Sequence, residues 1–424
     1  MEPNRLRGSL AVRAASTSCD WTMEPVRRRA GWSLFADMER PCQLSAVTRL
    51  TLVVVVISGL AIAPVRARTW TASADGTSGD GSITEILVEY SDGDSIVILP
   101  GVHEWNQEGG LRRSVTIIGS GSDEVVVLPN HVAFLDCDYL VIEGVSFRGG
   151  SNIHGAQDVD SVVFRGVEFS ENHAGITISQ GKYASLASCV IKDNVVTNPA
   201  VGAAGLTVLM HRLEVIDCLF SGNVSYIGRP LDESPGGAAL LIVDPTAAVI
   251  RGCVFVGNKG NAGCAVYQET VARNLLFEHN VVVGNEDYSG AVVLNGYGDE
   301  QIVRHNIFAN NIGFGLWCGD WTPRTFRVYC NVFWQNQGWG GFGAREQNNW
   351  YGLLSARGME GLNDFYSVLE DPKFCQDGSY GLTAESPLWI PSEPCTAVPG
   401  TGRDCIVDPV VERSWGGLKQ MFGK

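Results

Sequence analysis

Six polar residues, Gln180, His211, Asp244, Glu269, Asn295 and Asp320, each follow a short apolar run in a chain that repeats itself. If these positions stack, Asp244 and Glu269 become near neighbours that could bind calcium or act as general acid and base, with His211 a further proton carrier in the row. Turns carry polar residues in any protein, so this chemistry depends on whether the row converges. His279 and His305 also occupy equivalent places one repeat apart. Two imidazoles could hold a metal, but no third ligand shares their spacing, and the pair reads as a solvated surface pointing outward together.

Aromatic residues offer a second kind of chemistry. Trp317, Trp321, Trp334, Trp339 and Trp350 place five of the 11 tryptophans within 34 residues. Flat rings held on rigid strands are what sugar rings stack against, which makes Trp317, Trp321 and Trp339, with Asp320 beside them, candidate glycan-binding residues. The competing reading is a tryptophan-rich core under a C-terminal cap. Gly338-Trp-Gly-Gly-Phe-Gly matches a dinucleotide fingerprint in form only, since no helical pattern follows it.

The elements that must position these residues are short strands. A motif with an apolar anchor recurs around Phe147, Phe169, Ile191, Phe220, Phe255, Val282, Phe308 and Phe333, at intervals of 22 to 35 residues. Seven copies place Asn three residues later, at Asn172, Asn194, Asn223, Asn258, Asn285, Asn311 and Asn336. Variable spacing around a fixed motif means that one loop per repeat absorbs the insertions. A second apolar segment follows each Asn, usually opened by Gly, as in Gly205-Leu-Thr-Val and Gly290-Ala-Val-Val. No sustained helical period lies between them, so the chain is expected to coil as strand, turn, strand, each coil stacked on the last. Equivalent residues then lie about 4.8 Å apart in ladders. Cys189, Cys218 and Cys253 form one, continued by Asn280, Asn306 and Asn331, while the Asn three places after each anchor is expected at a left-handed or Asx-type bend.

These repeats resemble the right-handed parallel β-helix of the pectin-lyase-like family. The likeness extends to Asp75-Gly-Thr and Gly93-Asp-Ser-Ile-Val-Ile-Leu-Pro-Gly at the front, and to Asp371-Pro-Lys-Phe-Cys, Tyr380-Gly-Leu and Ser386-Pro-Leu at the back. It implies an all-β, single-stranded solenoid of roughly ten coils, and it does not imply an activity, because this fold serves lyases, hydrolases, epimerases and adhesins alike. The chain lacks the Arg-Ile-Lys signature of the family's polygalacturonases, and Asp244-Pro245 is followed by Thr246 where related epimerases carry His. A lysine base would have to be Lys182, Lys192 or Lys259, none beside an acidic triplet.

The organisation read from the chain is a leader over residues 1–67, an N-terminal cap with the first coils over 68–139, repeats over 140–344, a C-terminal cap region over 345–405 and a tail over 406–424. The leader contains an apolar run, Leu50 to Ala63, with arginines before it and Val65-Arg66-Ala67 after it, the order of a secretory signal with Met38 as the natural start. The run is short for a membrane span. Export would expose ten cysteines to an oxidising compartment, with Cys318 and Cys330 one candidate disulfide and Cys375, Cys395 and Cys405 candidates to pair among themselves, while the Cys189 ladder stays reduced and buried. The whole chain carries a formal charge of −15 and only six lysines, and residues 68–424 carry −19, which argues against a nucleic-acid partner. The sequence therefore reads as a secreted or cell-surface monomeric scaffold that binds polysaccharide, with no certain cofactor and calcium the candidate ion. A lyase or epimerase acting on an acidic glycan, and an adhesin, are the competing readings. Mass spectrometry of the exported protein is expected to find its N-terminus at or near Arg68; retention of residues 40–67 would make the apolar run an anchor.

Overall fold

A computed structural model of the chain describes residues 67–106, 110–150, 153–173, 175–196, 203–225, 237–260, 263–269, 273–294, 300–318, 325–337, 350–352, 363–365, 371–375, 380–389, 395 and 400. The leader up to residue 66 lies outside them, as do Asn295, Asp320, Trp321 and Trp339. Nearly every described element is a strand, and all the strand pairings between successive coils are parallel. No described helix is long and apolar enough to cross a membrane.

Each coil contributes to three sheets. A broad sheet carries five-residue strands such as Ser161–Arg165, Ala247–Arg251, Asn274–Glu278, Glu300–Arg304 and Thr325–Tyr329. An anchor sheet carries eight three-residue strands, from Ser146–Arg148 to Val332–Trp334, whose central residues are the sequence anchors in register. A platform sheet follows, including Leu240–Val243, Val266–Glu269 and Ile312–Cys318. The solenoid makes about eight turns, slightly fewer than the roughly ten expected from adding the entry turns to the eight motif copies.

The anchors are buried and stacked. Phe220 lies over Phe255 with ring centroids 4.8 Å apart, and Phe308 over Phe333 at 4.9 Å, both near-parallel. The Asn ladder is hydrogen-bonded throughout its length. Asn223 Nδ2 donates to Asn258 Oδ1 at 2.9 Å and to the carbonyl of Ile191 in the coil before, and Asn258 repeats the pattern with Asn285 and Phe220. These asparagines do not themselves take the left-handed bend. The residue before each one does, at Glu171, Asp193, Gly222, Gly257, Gly284, Asn310 and Gln335, which frees the Asn backbone N–H to point at the next amide. The second ladder is also as expected. Cys189, Cys218 and Cys253 are buried free thiols, and the Cys253 N–H donates to Asn280 Oδ1 at 2.9 Å before Asn280, Asn306 and Asn331 continue the line.

The ends close differently from each other. At the front, a short helix, Ile83–Glu89, is opened by a capping box between Ser82 and Glu85 and buries Ile83, Ile86 and Leu87. At the back, Leu382 and Leu388 pack on the outer face of the anchor sheet, against Val254, Val281, Val283, Ile307, Ala309 and Val332. The described part of the C-terminal region thus lies along the flank of the solenoid. Cys330 bonds Cys395, a different partner from the Cys318 considered above, and the Gly400 N–H reaches the carbonyl of His305 at 2.7 Å.

Two truncations measure these ladders separately. Phe255→Ala is expected to cost about 3 to 5 kcal/mol as a buried aromatic loss, and Asn258→Ala about 1 to 3 kcal/mol for each buried group it orphans. Chemical denaturation with midpoints unchanged in both variants would contradict the packing.

Candidate functional site

Along the platform sheet, side chains alternate between the core and the outside. In Val266–Glu269, Val266 and Gln268 are fully buried while Tyr267 and Glu269 are half-buried and face out. The register builds an outward row that runs up the coils through Thr207, Leu241, Tyr267, Val293 and Trp317. A second outward row holds Val243 and Glu269. Period-two alternation puts Tyr267 and Glu269 on the same face, two residues apart on one strand.

Trp317 is held in place by its neighbours. Its ring meets Phe314 edge to face, with centroids 5.8 Å apart. Beneath it, a Cβ on Gly290 would come within 3.1 Å of Trp317 Cβ and 3.3 Å of the Phe314 carbonyl, so a side chain there would require its neighbours to give by a few tenths of an ångström. Val293 lies between Tyr267 and Trp317 in the row and is only 3% exposed. Thr207 and Leu241 in the same row are buried too, so of these five residues only Tyr267 and Trp317 are partly exposed.

The polar row expected from sequence does not align as a single ladder. Glu269 registers with Val243, so Asp244 sits one place further on, at a left-handed corner with φ 49°. Gln180 occupies the same kind of corner, set out of register by a bulge, and its Oε1 accepts from Gln157 Nε2 at 3.1 Å. His211 lies within the continuous strand Leu206–Ile216, exposed, where its carbonyl accepts from the Thr246 N–H at 2.7 Å and its Nδ1 lies 3.5 Å from Thr246 Oγ1. Counting residues after each apolar run misaligns the row, because some coils turn with one corner residue and others run straight through. Among the described residues no three His, Cys, Asp or Glu side chains form a metal-type cluster.

His279 and His305 are brought together, though not as a solvated pair. Both take left-handed corners, and their rings stack 5.0 Å apart at 20°. His305 is buried, because the disulfide tether carries the C-terminal segment across this corner. Burial, the neighbouring His279 and Arg304 all hold its imidazole below the usual histidine range, with Glu278 opposing them. On the adjacent broad sheet, Glu278 lies between Arg251 and Arg304, and Arg304 continues to Tyr329 Oη at 3.0 Å. Burial pushes the Glu278 carboxyl up, but the two guanidiniums outweigh it and the group is held low. This chain of charges ties four successive coils together.

Asp287 is a buried acid whose hydrogen-bond donors are all uncharged. Asp287, just before Gly290 in the strand Glu286–Leu294, accepts from the Ser289 N–H and Oγ and from the Cys264 N–H at 2.8 Å. Burial pushes its carboxyl up to about 7 despite these donors. Neither Asp287 nor Tyr267 was singled out from sequence. Tyr267 was legible as an outward residue once the Gly263-Cys-Ala-Val run is set as a strand, but Asp287 sits at a register shift whose depth no local pattern reports.

Residues 130–300 match the family model described as a right handed beta helix region. No curated protein matches the chain. Among solved structures, the crystal structure of pectate lyase Pel9A is similar at 14% identity and a TM-score of 0.36, over 66% of this chain and 73% of that one.

Asp287 yields a pH-dependent expectation. A raised carboxyl favours folding while protonated, so its contribution is fully present below the ordinary value of 3.8 and is lost as pH rises toward about 7. The isosteric Asp287→Asn cannot ionise. Its thermal midpoint relative to the parent is expected to improve from pH 4 to pH 8, and a difference independent of pH would show that the acid is not buried as described.

Proposed function

We propose that this right-handed parallel β-helix is an exported scaffold that binds polysaccharide on the outward face of its platform sheet. The observation that carries this reading is the placement of Tyr267 and Trp317 in one outward row with Glu269 beside them. Flat rings bury sugar faces at little entropic cost, and a carboxylate accepts from the hydroxyls at a ring's edge. Both aromatic residues stand on strands registered to the coils above and below, so the surface is organised before ligand arrives and little ordering is needed on binding. Trp321, Trp339 and Asp320, the other residues proposed from sequence for glycan binding, lie outside the described residues. The disulfide Cys330–Cys395 is consistent with an oxidising location.

A lyase needs more than a platform. It requires a base positioned at the reacting carbon and a means of neutralising a uronate carboxylate. The carboxylates Asp244 and Glu269 are the residues that a calcium-dependent reaction on this face would use. A net charge of −15, and of −19 over residues 68–424, repels acidic chains, so neutral glycans should bind without metal and acidic ones only with calcium.

Glycan binding with and without chelator, run beside ultraviolet detection of unsaturated uronate, tests the reading. Binding that falls at least tenfold on Trp317→Ala, with no product formed, is expected. Steady product that vanishes on Asp244→Ala or Glu269→Ala would replace the scaffold with an enzyme.

A further inference from the structure

The corner line that carries His279, His305 and Cys330 is also where the C-terminal segment holds on to the solenoid. Residues 373–388 make hydrogen bonds of their own. Phe374 bridges Leu382, the Cys375 N–H donates to the Gly381 carbonyl, and the Thr383 N–H donates to the Lys373 carbonyl. Leu382 and Leu388 then dock this unit on the apolar strip by packing. Further along come the disulfide at Cys395 and the hydrogen bond from the Gly400 N–H to the His305 carbonyl. Gly400 has a left-handed φ of 73°, and a Cβ there would come within 2.7 Å of Ile307 Cδ1 and 3.1 Å of Val281 Cγ2. Its backbone therefore lies directly on the strip, beside the residue whose carbonyl it holds. The asparagine ladders, by contrast, close their hydrogen bonds within the solenoid.

We infer that this segment is an acid-opened strap: protonation of the stacked His279 and His305 pair releases it from the corner line, while the disulfide keeps it tethered and the solenoid stays folded. Rings 5.0 Å apart stack as neutral imidazoles, but two imidazoliums at that distance repel each other. His305 is the member that the strap covers. It is 9% exposed, and its Nδ1 is buried without a hydrogen-bond partner, so a proton added there would sit on a nitrogen with no acceptor. Opening the strap gives that nitrogen to water. The charged and titratable groups around the pair are Glu278 and Arg304, each just before one of the histidines, Arg251 across Glu278, and Tyr329, edge-on to His305 at 6.2 Å. Glu278 favours an imidazolium, but its two oxygens are engaged by Arg251 and Arg304. Cys395 and Gly400, the described strap residues at this line, bring no charge. Covered, the His305 imidazole is held below its ordinary value of 6.5, so the closed strap binds fewer protons than the open one. Its stability is complete above pH 6.5 and is lost as pH falls through the lowered value. Asp287 works in the opposite sense, since its raised carboxyl favours the folded coil at the acid end, and Glu278 is held low and stays ionised. Between about pH 5 and 6 the strap is therefore the part that loosens.

Hydrogen exchange on the full chain, corrected for the intrinsic pH dependence of amide exchange, reads strap and solenoid in one experiment. The peptide containing Gly400 is expected to lose protection about threefold to tenfold between pH 7.5 and pH 5.5, while peptides spanning the ladder from Asn223 to Asn285 keep theirs. His305→Asn cannot ionise and suits a left-handed corner, as Asn310 does. It should make the protection of the Gly400 peptide independent of pH. Protection at Gly400 that is the same at both pH values in the parent, or that falls together with the ladder peptides, would overturn the inference. So would a pH dependence that survives in His305→Asn with its ladder peptides still protected. Should that variant fail to fold, the parent's two peptides still decide between a strap that opens alone and one that does not.

Discussion

Everything in this solenoid depends on a side-chain amide satisfying the coil on either side of it. Each ladder asparagine has one oxygen and two amide hydrogens, and in the interior of the stack all are used. The oxygen accepts from the neighbouring asparagine's backbone and side chain, and the hydrogens go to the next amide and to a carbonyl of the coil before. The corners of a coil are where the backbone leaves its sheet and its polar groups lose their strand partners. Buried there without such a residue, each group would cost about 1 to 3 kcal/mol. Asn supplies two donors and an acceptor at once, which is why it recurs where an ionised Asp could only accept and a Ser could donate only once.

The ladder also explains which corners tolerate substitution. Its geometry requires the preceding residue to be left-handed, and that residue varies freely among Gly, Asp, Glu, Asn and Gln because its side chain points away from the stack. At the other corner the same requirement is met by Gly, Ser, Asp, His and Cys. His279, His305 and Cys330 are thus successive occupants of one structural position. The C-terminal segment uses that line, bonding Cys395 to Cys330 and Gly400 to the His305 carbonyl. A corner that must project outward from the coil is a natural place to fasten a strap.

Much of this was legible in the sequence, and the parts that were not share a cause. The anchors, both ladders and the buried thiols follow from the fixed motif, because stacking converts identical spacing into identical depth. The short helix near the front was also written locally, in Ser82 and Glu85. Alignment failed where coils differ in the number of corner residues: Asp244 and Glu269 have the same distance from their apolar runs yet not the same register. The outer cover failed for another reason. Outward positions of the anchor sheet change from Glu168, Ser170 and Lys192 in early coils to Val281, Val283, Ile307 and Val332 in later ones. That change signals a covering segment but cannot say which one, since the contact joins residues far apart in the chain.

The same separation of local and distant information bears on the platform. Tyr267 and Trp317 are 50 residues apart in sequence, and no motif relates them; only the register of three consecutive strands puts them in one row. A rigid repeat turns such a coincidence into a fixed distance, because neither residue can move along its strand without shifting every hydrogen bond of its rung. Gly290 shows that the distance is maintained from below as well. A Cβ there would crowd Trp317 Cβ and the Phe314 carbonyl, so this close approach of the two strands is matched to the absence of a side chain. Loops can change length between coils without disturbing this arrangement, since insertions enter at the corners and leave the rungs intact. A binding surface built on rungs is therefore the part of the solenoid best able to recognise a ligand by spacing.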